Sequence, residues 1–82
     1  MGDKKQPIRV FGAVLHELRL QKGLTQDRLA ELADTERSHI SALERAEKGP
    51  AFATVFRLAK ALDIPASELI ALVESRLSQE SD

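Results

Sequence analysis

The sequence predicts an all-α domain, and three observations carry that expectation. Apolar residues recur at i, i+3, i+4 and i+7 through most of the chain. Glycines, prolines and short polar runs cut this pattern into helix-sized pieces. Nowhere does apolar and polar character alternate with the period of two that a half-buried strand needs, and there is no internal repeat. The chain is 82 residues long, the size of one domain. A domain this small buries only roughly 60% of its unfolded surface.

Residues 1–7 read as a disordered polar tail closed by Pro7. A first helix is expected from about Ile8 to Lys22, with Phe11, Val14, Leu15 and Leu18 as its inward stripe and Gly23 as its C-terminal glycine. Thr25 caps a second helix, Gln26 to about Ala33, with Arg28 at the third helical position instead of the glutamate of a capping box. Leu29, Ala30 and Ala33 share one face. Asp34-Thr35-Glu36 is a tight polar turn. A third helix runs from about Glu36 to Arg45, with Ile40 and Leu43 turned inward. Two short helices joined so closely must cross steeply. That leaves Arg37, Ser38, Ser41 and Ala42 on a face with no core to fill.

Ala46-Glu47-Lys48-Gly49-Pro50 is a loop. The fourth helix follows from about Ala53 to Leu62, with Phe52, Val55, Leu58, Ala59 and Leu62 expected to be buried. Asp63-Ile64-Pro65 breaks the chain again. A fifth helix starts near Ala66 and reaches Ser75 or beyond, and residues 78–82 are expected to fray. Residues 8–77 thus form the folded domain. The fifth helix carries more apolar residues than one buried face requires. Either all of it packs on the first helix, or Leu69, Ile70, Leu72, Val73 and Leu77 leave a stripe that pairs with a second copy.

Composition narrows the function. There are no cysteines, so no thiolate metal site or disulfide framework is available. His16 and His39 are the only imidazoles and lie far apart in the chain. No metal or cofactor is expected. Trp and Tyr are absent, which leaves little for the aromatic stacking used by single-strand binders. No run is long and apolar enough for a membrane span, and no signal peptide opens the chain. A soluble cytoplasmic protein is the expectation. No nucleophile, base and orienting residue pair up, so an enzyme is not expected. The net charge of −1 is unhelpful to nucleic-acid binding, but it is unevenly spread. Residues 1–28 carry a net +3 and residues 29–82 a net −4. That polarity suits a protein with one face toward phosphate, although it implies weak non-specific affinity.

Several segments together resemble the XRE-type, lambda-repressor-like helix-turn-helix domain. They are Phe11-Gly12, Leu15, Leu18-Arg19, Gly23-Leu24-Thr25-Gln26, Leu29-Ala30, Ile40-Ser41, Leu43-Glu44, Pro50 and Leu58-Ala59-Lys60-Ala61-Leu62. The resemblance runs from about Ile8 to Glu74. It implies a five-helix DNA-binding domain whose helix-turn-helix is formed by helices 2 and 3. By it, Gln26, with the backbone N–H groups beside it, contacts a phosphate and braces the first recognition residue. Thr25, Ser41, Arg45 and Lys48 match further phosphate positions, with a solvated loop charge as the plainer reading of Arg45 and Lys48. Arg37, Ser38 and Ala42 match positions facing base edges, Arg37 being suited to bidentate contact with guanine. His39 lies beside them and could reach backbone or base. Arg19 and Glu44 match an ion pair that is structural. Two departures stand out. Asp34 occupies a turn position where glycine is usual and φ is positive. Ala46 stands where the family tends to have glycine, which points to a longer helical end after helix 3.

The resemblance implies a transcription regulator that binds double-stranded DNA as a homodimer on a pseudo-palindrome; with no second domain expected for a small ligand, no small-molecule effector is expected. Stand-alone regulators of this kind are similar to restriction–modification controller proteins and short phage-type repressors. The competing expectation is a protein-interaction module, such as the antitoxin of a toxin–antitoxin pair.

Overall fold

The computed structural model describes residues 6–80, and among them the chain forms five helices and no strand. These are α1 (Gln6–Gln21), α2 (Gln26–Leu32), α3 (Arg37–Glu44), α4 (Phe52–Ala61) and α5 (Ala66–Glu80). The core is a single cluster. Val10, Phe11, Val14 and Leu15 of α1 meet Leu29 and Ala30 of α2, Ile40 and Leu43 of α3, Leu58 and Ala59 of α4, and Leu69 and Val73 of α5. No helix is long and apolar enough to cross a membrane.

Both ends of the helical region reach further than the sequence suggests. Helix α1 begins at Gln6, so Pro7 lies inside its first turn. A proline costs nothing there, because the N–H it lacks would have had no intrahelical partner. Of the tail expected at residues 1–7, Gln6 and Pro7 are therefore helical, while residues 1–5, like residues 81 and 82 of the expected frayed end, lie outside the described residues. Helix α5 continues to Glu80 in place of fraying from Ser78. Gln6 Nε2 and Arg9 Nη1 both donate to Glu80 Oε1, at 3.4 and 3.3 Å, tying the start of α1 to the end of α5. Further along, Arg76 forks onto Glu17 at 2.7 and 3.1 Å.

The first four helices end in the same way. One residue takes a left-handed conformation: Gly23 (φ 71°), Asp34 (57°), Ala46 (60°) and Asp63 (61°). The following amide then donates back to the helix, Leu24 to Arg19, Thr35 to Ala30, Glu47 to Ala42 and Ile64 to Ala59, each at 2.9–3.0 Å. The left-handed residue itself donates one position later, as Asp34 does to Glu31. This is the Schellman closure, which satisfies carbonyls a helix end would otherwise leave bare. Asp34 adopts the positive φ expected of it. Ala46 does not prolong α3. It ends the helix after Glu44, with Arg45 as the last half-helical residue, so the expectation of a longer helical end is corrected.

Gly12 sets the distance between α1 and α3. A Cβ at that position would collide with the Leu43 carbonyl oxygen and lie 3.0 Å from that of Glu44. Both contacts are backbone and cannot swing aside. The absence of a side chain at Gly12 is what allows α3 to sit directly on α1.

Candidate nucleic-acid interface

The candidate interface is built from α2 and α3, the two short helices held on α1. Thr25 stands just before α2 in extended backbone, and its hydroxyl accepts from the Arg28 amide at 3.0 Å. This is the cap expected from the sequence. Helix α3 has no such cap, since Glu36 makes no side-chain bond to it. Its place is fixed from inside instead. Ile40 and Leu43 are fully buried, and Ala30 of α2 and Ala33 at its C-terminal cap are nearly so. Small residues on α2 let the two helices touch. Truncating either Ile40 or Leu43 would cost about 2–5 kcal/mol.

With that face pinned, the opposite face of α3 is set by helical geometry. Arg37 and Ser38 are exposed, while Ser41 and Ala42, one turn on, are half-buried at its edge. Arg45 and Lys48 follow, both exposed, and Arg45 Nη2 lies 3.2 Å from Glu47 Oε2. Thr25 and Gln26, at the start of α2, are exposed and half-buried respectively. His39 turns toward the polar turn, its Nδ1 2.8 Å from the Thr35 hydroxyl. The guanidinium of Arg37 is 4.0 Å from Asp27 Oδ1, both side chains largely exposed.

Behind this face lies a polar cluster centred on Glu44. Arg19 Nε donates to Glu44 Oε2 at 2.7 Å and Nη2 to Oε1 at 3.1 Å, with both side chains less than one-tenth exposed. The remaining guanidinium nitrogen donates to the Leu24 carbonyl at 2.8 Å. Glu44 also accepts from Gln26 Nε2 at 3.1 Å, and His16 Nδ1 lies 2.9 Å from the same oxygen. Burial pushes the Glu44 carboxyl up. The hydrogen bonds from Arg19, His16 and Gln26 outweigh it and leave the group below the usual carboxylate range. Arg19 is raised above its ordinary value, chiefly by its bond to Glu44. One carboxylate thus joins α1, α2 and α3, and Arg19 and Glu44 are paired as the sequence implied.

The sequence missed two members of this region. His16 was treated only as an unsuitable metal ligand. Asp27, not Gln26, is the α2 side chain beside Arg37, because the Gln26 amide is turned inward to Glu44. The i−3 spacing of His16 to Arg19 was the available signal for the first. The second depends on how α2 crosses α3, which spacing does not give. Among the described residues no cluster of three or more His, Cys, Asp or Glu is grouped as a metal site would need.

The apolar stripe expected on α5 is divided. Leu69 (0% exposed) and Val73 (8%) belong to the chain's own core, so they are not available to a partner, and Leu77 packs against that core. Ile70 and Leu72 are exposed. They are two residues apart and point to different sides of the helix. Leu72 borders a groove between α1 and α5 with Val14, Leu18 and Glu68. A second correction concerns α4. Phe52, expected in its buried stripe, is 81% exposed, and Phe56 beside it is 52% exposed. The two rings meet edge to face with centroids 5.0 Å apart. Phe56 also borders a shallow groove with Ala59, Ile64, Pro65 and Ala66, one turn of α5 before Ile70.

Comparison with known proteins agrees with this geometry. A helix-turn-helix family model matches residues 15–69, from the middle of α1 into α5. The HTH-type transcriptional regulator SutR of Escherichia coli strain K12 is 33% identical over 67 residues, covering 82% of this chain but 38% of SutR. An uncharacterized HTH-type transcriptional regulator of Sinorhizobium fredii, y4dJ, is 32% identical over 62 residues, covering 76% of this chain and 80% of that protein. The crystal structure of the restriction-modification controller protein C.AhdI from Aeromonas hydrophila superposes with a TM-score of 0.73 at 40% identity, covering 76% of this chain and 94% of C.AhdI. The matched segment contains the whole α2–α3 elbow, its buried residues and the Arg19–Glu44 pair beneath it, and the chain belongs to the helix-turn-helix family, in its XRE-type, lambda-repressor-like form.

Proposed function

We propose that this chain is a sequence-specific transcription regulator that binds double-stranded DNA as a homodimer, with α3 in the major groove of each half-site. The observation that carries the reading is the two-sided character of α3. Ile40 and Leu43 lock one side into the core, and Arg37, Ser38, Ser41 and Ala42 are left facing outward on a helix only eight residues long. Arg37 is the base reader, suited to O6 and N7 of guanine, with Ser38 and Ala42 beside it. Thr25, Gln26, Ser41, Arg45 and Lys48 flank it as phosphate contacts, which position the helix without reading sequence. His39 is held toward the turn by Thr35 and contributes through the backbone more than through a base.

One such helix reads only a few base pairs. A two-fold pair would read a pseudo-palindrome with half-sites roughly 34 Å apart. The surface for pairing is the exposed Phe52–Phe56 edge of α4, continued by Ile70 on α5. Two aromatic rings left in water are a poor arrangement for a monomer and a common one at an interface. Its occupant is a second copy of the chain, since recognition of a symmetric site requires one. The names of the family relatives support a regulatory role, and C.AhdI, which the chain nearly spans, is a controller protein.

The test is selection of bound sequences from a random duplex pool, followed by inspection of the winners. Two related half-sites at one-turn spacing are expected. An unenriched pool would end the DNA reading. Enrichment of single, unpaired half-sites would end the dimer reading and leave the aromatic edge to another protein, as in an antitoxin.

A further inference from the structure

We propose that Arg57 is a positioning residue: it sets the angle between α3 and the pairing edge of α4, and through that angle the half-site spacing a dimer accepts. The inference rests on the proposed binding of a two-half-site duplex by a pair of chains. It starts from how the helices touch. Helix α3 packs on α1 and α2 rather than on α4. The rings of the pairing edge, Phe52 and Phe56, stand on α4. Two routes therefore join α3 to that edge. One runs through α1 and α5. It is broad, and Arg76 on Glu17 and Arg9 on Glu80 reinforce it. The other runs through α2 to α4 and is narrower. A surface groove lined by Leu32, Ala33, Asp34, Arg57, Lys60 and Ala61 lies along it.

Arg57 bridges that groove. Its Nε donates to the Ala33 carbonyl at 3.1 Å. Among the described residues this is the only hydrogen bond between α4 and α2 or the turn after it. The acceptor is well placed to fix the elbow. Ala33 is buried and is the last half-helical residue of α2. The closure that follows it answers the Ala30 and Glu31 carbonyls, while the Ala33 carbonyl receives no backbone donor. A guanidinium suits that oxygen, because a cation at a helix C-terminus also meets the negative end of the dipole. The donor is held from behind. Arg57 Nη2 donates to the hydroxyl of Thr54 at 3.2 Å, and Thr54, one turn earlier, is buried. Phe56 directly precedes Arg57, so contact with a second copy and the bond to the elbow bear on the same turn of α4.

The consequence concerns spacing. Moving two half-sites one base pair apart turns one against the other by roughly 35° and shifts it by about 3.4 Å. A pair with a fixed angle rejects such duplexes, and a pair with a loosened angle tolerates them. Affinity is measured on the selected two-half-site duplex, on versions with one or two base pairs added to or removed from its centre, and on a single half-site. The unmodified protein, Arg57→Lys and Arg57→Ala are compared, with self-association read by sedimentation. The unmodified protein should favour its selected spacing roughly tenfold or more, and Arg57→Ala should cut that preference to about threefold or less. Its self-association and its single-half-site affinity should stay within about twofold of the unmodified values, since the pairing rings and α3 are untouched. Arg57→Lys keeps a donor within reach of Ala33 without the fork, and should fall between. Arg57→Ala with an unchanged spacing preference overturns the proposal. So does an equal loss on single and paired half-sites, which would make Arg57 a DNA contact or a prop of α3 alone. An Arg57→Ala chain that no longer melts cooperatively overturns it too, because the bond would then hold the fold and not the angle. A pool that yields no duplex defeats the DNA reading, one that yields only single half-sites defeats the dimer reading, and this proposal falls with either.

Discussion

The two ends of the molecule solve opposite problems. At the α1–α2–α3 end, charged groups are buried and every one is answered: Glu44 is surrounded by Arg19, Gln26 and His16, and no buried side-chain polar atom among the described residues lacks a partner. At the α4 end, apolar groups are exposed, and Phe52 and Phe56 have chiefly each other. The first arrangement adds little net stability, because taking charges out of water offsets much of their attraction. It fixes three helices in one relation to each other. The second forgoes the stability those rings would contribute if covered. Side-chain partners are complete at the α1–α2–α3 end, and apolar rings are left in solvent at the other.

Five measurements can break or sharpen that contrast. Glu44→Ala should have the largest effect. It leaves Arg19 buried without its partner, and urea unfolding should show a loss of about 3–5 kcal/mol. A loss below about 1 kcal/mol would mean the cluster is decoration. Phe56→Asp should leave the fold intact, since the ring is already half in water. Self-association, read by sedimentation, should disappear, and affinity for a two-half-site duplex should weaken by about 2 kcal/mol or more. The same change at Val73 would instead unfold the chain, because that residue is core. Arg37→Ala should cost about 1–3 kcal/mol in DNA binding and relax preference at one position of each half-site, with no change in melting temperature. Acid separates the two ends further. Glu44 is held below its ordinary 4.5, so its contribution to stability is complete above that pH and is lost as pH falls through the lower, folded value. Thermal melting should record that loss below pH 4.5, and Glu44→Gln should blunt it. The smallest effect is expected at Ala46, whose φ is 60°. Ala46→Gly removes the left-handed penalty and should raise stability by about 1 kcal/mol.

The α1–α2–α3 end was largely legible in the sequence. Periodicity gave Ile40 and Leu43 as inward, which left Arg37, Ser38 and Ala42 outward by simple rotation, and Thr25 carries the chemistry of a cap. Local rules suffice there because two short helices have few ways to pack. Distance along the chain hid the rest. Nothing in the order of residues shows that His16 reaches Glu44 or that Asp27 sits by Arg37, since those contacts follow from crossing geometry. Helix α5 shows a different failure. Composition does not separate its apolar residues that face the core from those that do not, so the sequence leaves Leu69 and Val73 as candidates for a partner although the chain's own core covers them. Phe52 was misplaced for a related reason: being aromatic and next to a helix start, it fitted the apolar stripe of α4 but lies a turn too early to reach the core.

The repeated left-handed closures carry a consequence for how such a protein could change its target. Where each of the first four helices stops, and the direction the chain leaves it, is held by main-chain bonds, so those corners do not depend on the letters carried by the outer surface of α3. On the proposed function, Arg37, Ser38 and Ala42 could be rewritten for another operator while the scaffold stayed as it is. Retargeting would then be a matter of three or four positions on or at the edge of that face, and variants chosen at the exposed ones, Arg37 and Ser38, should mostly remain folded whether or not they find a sequence to bind.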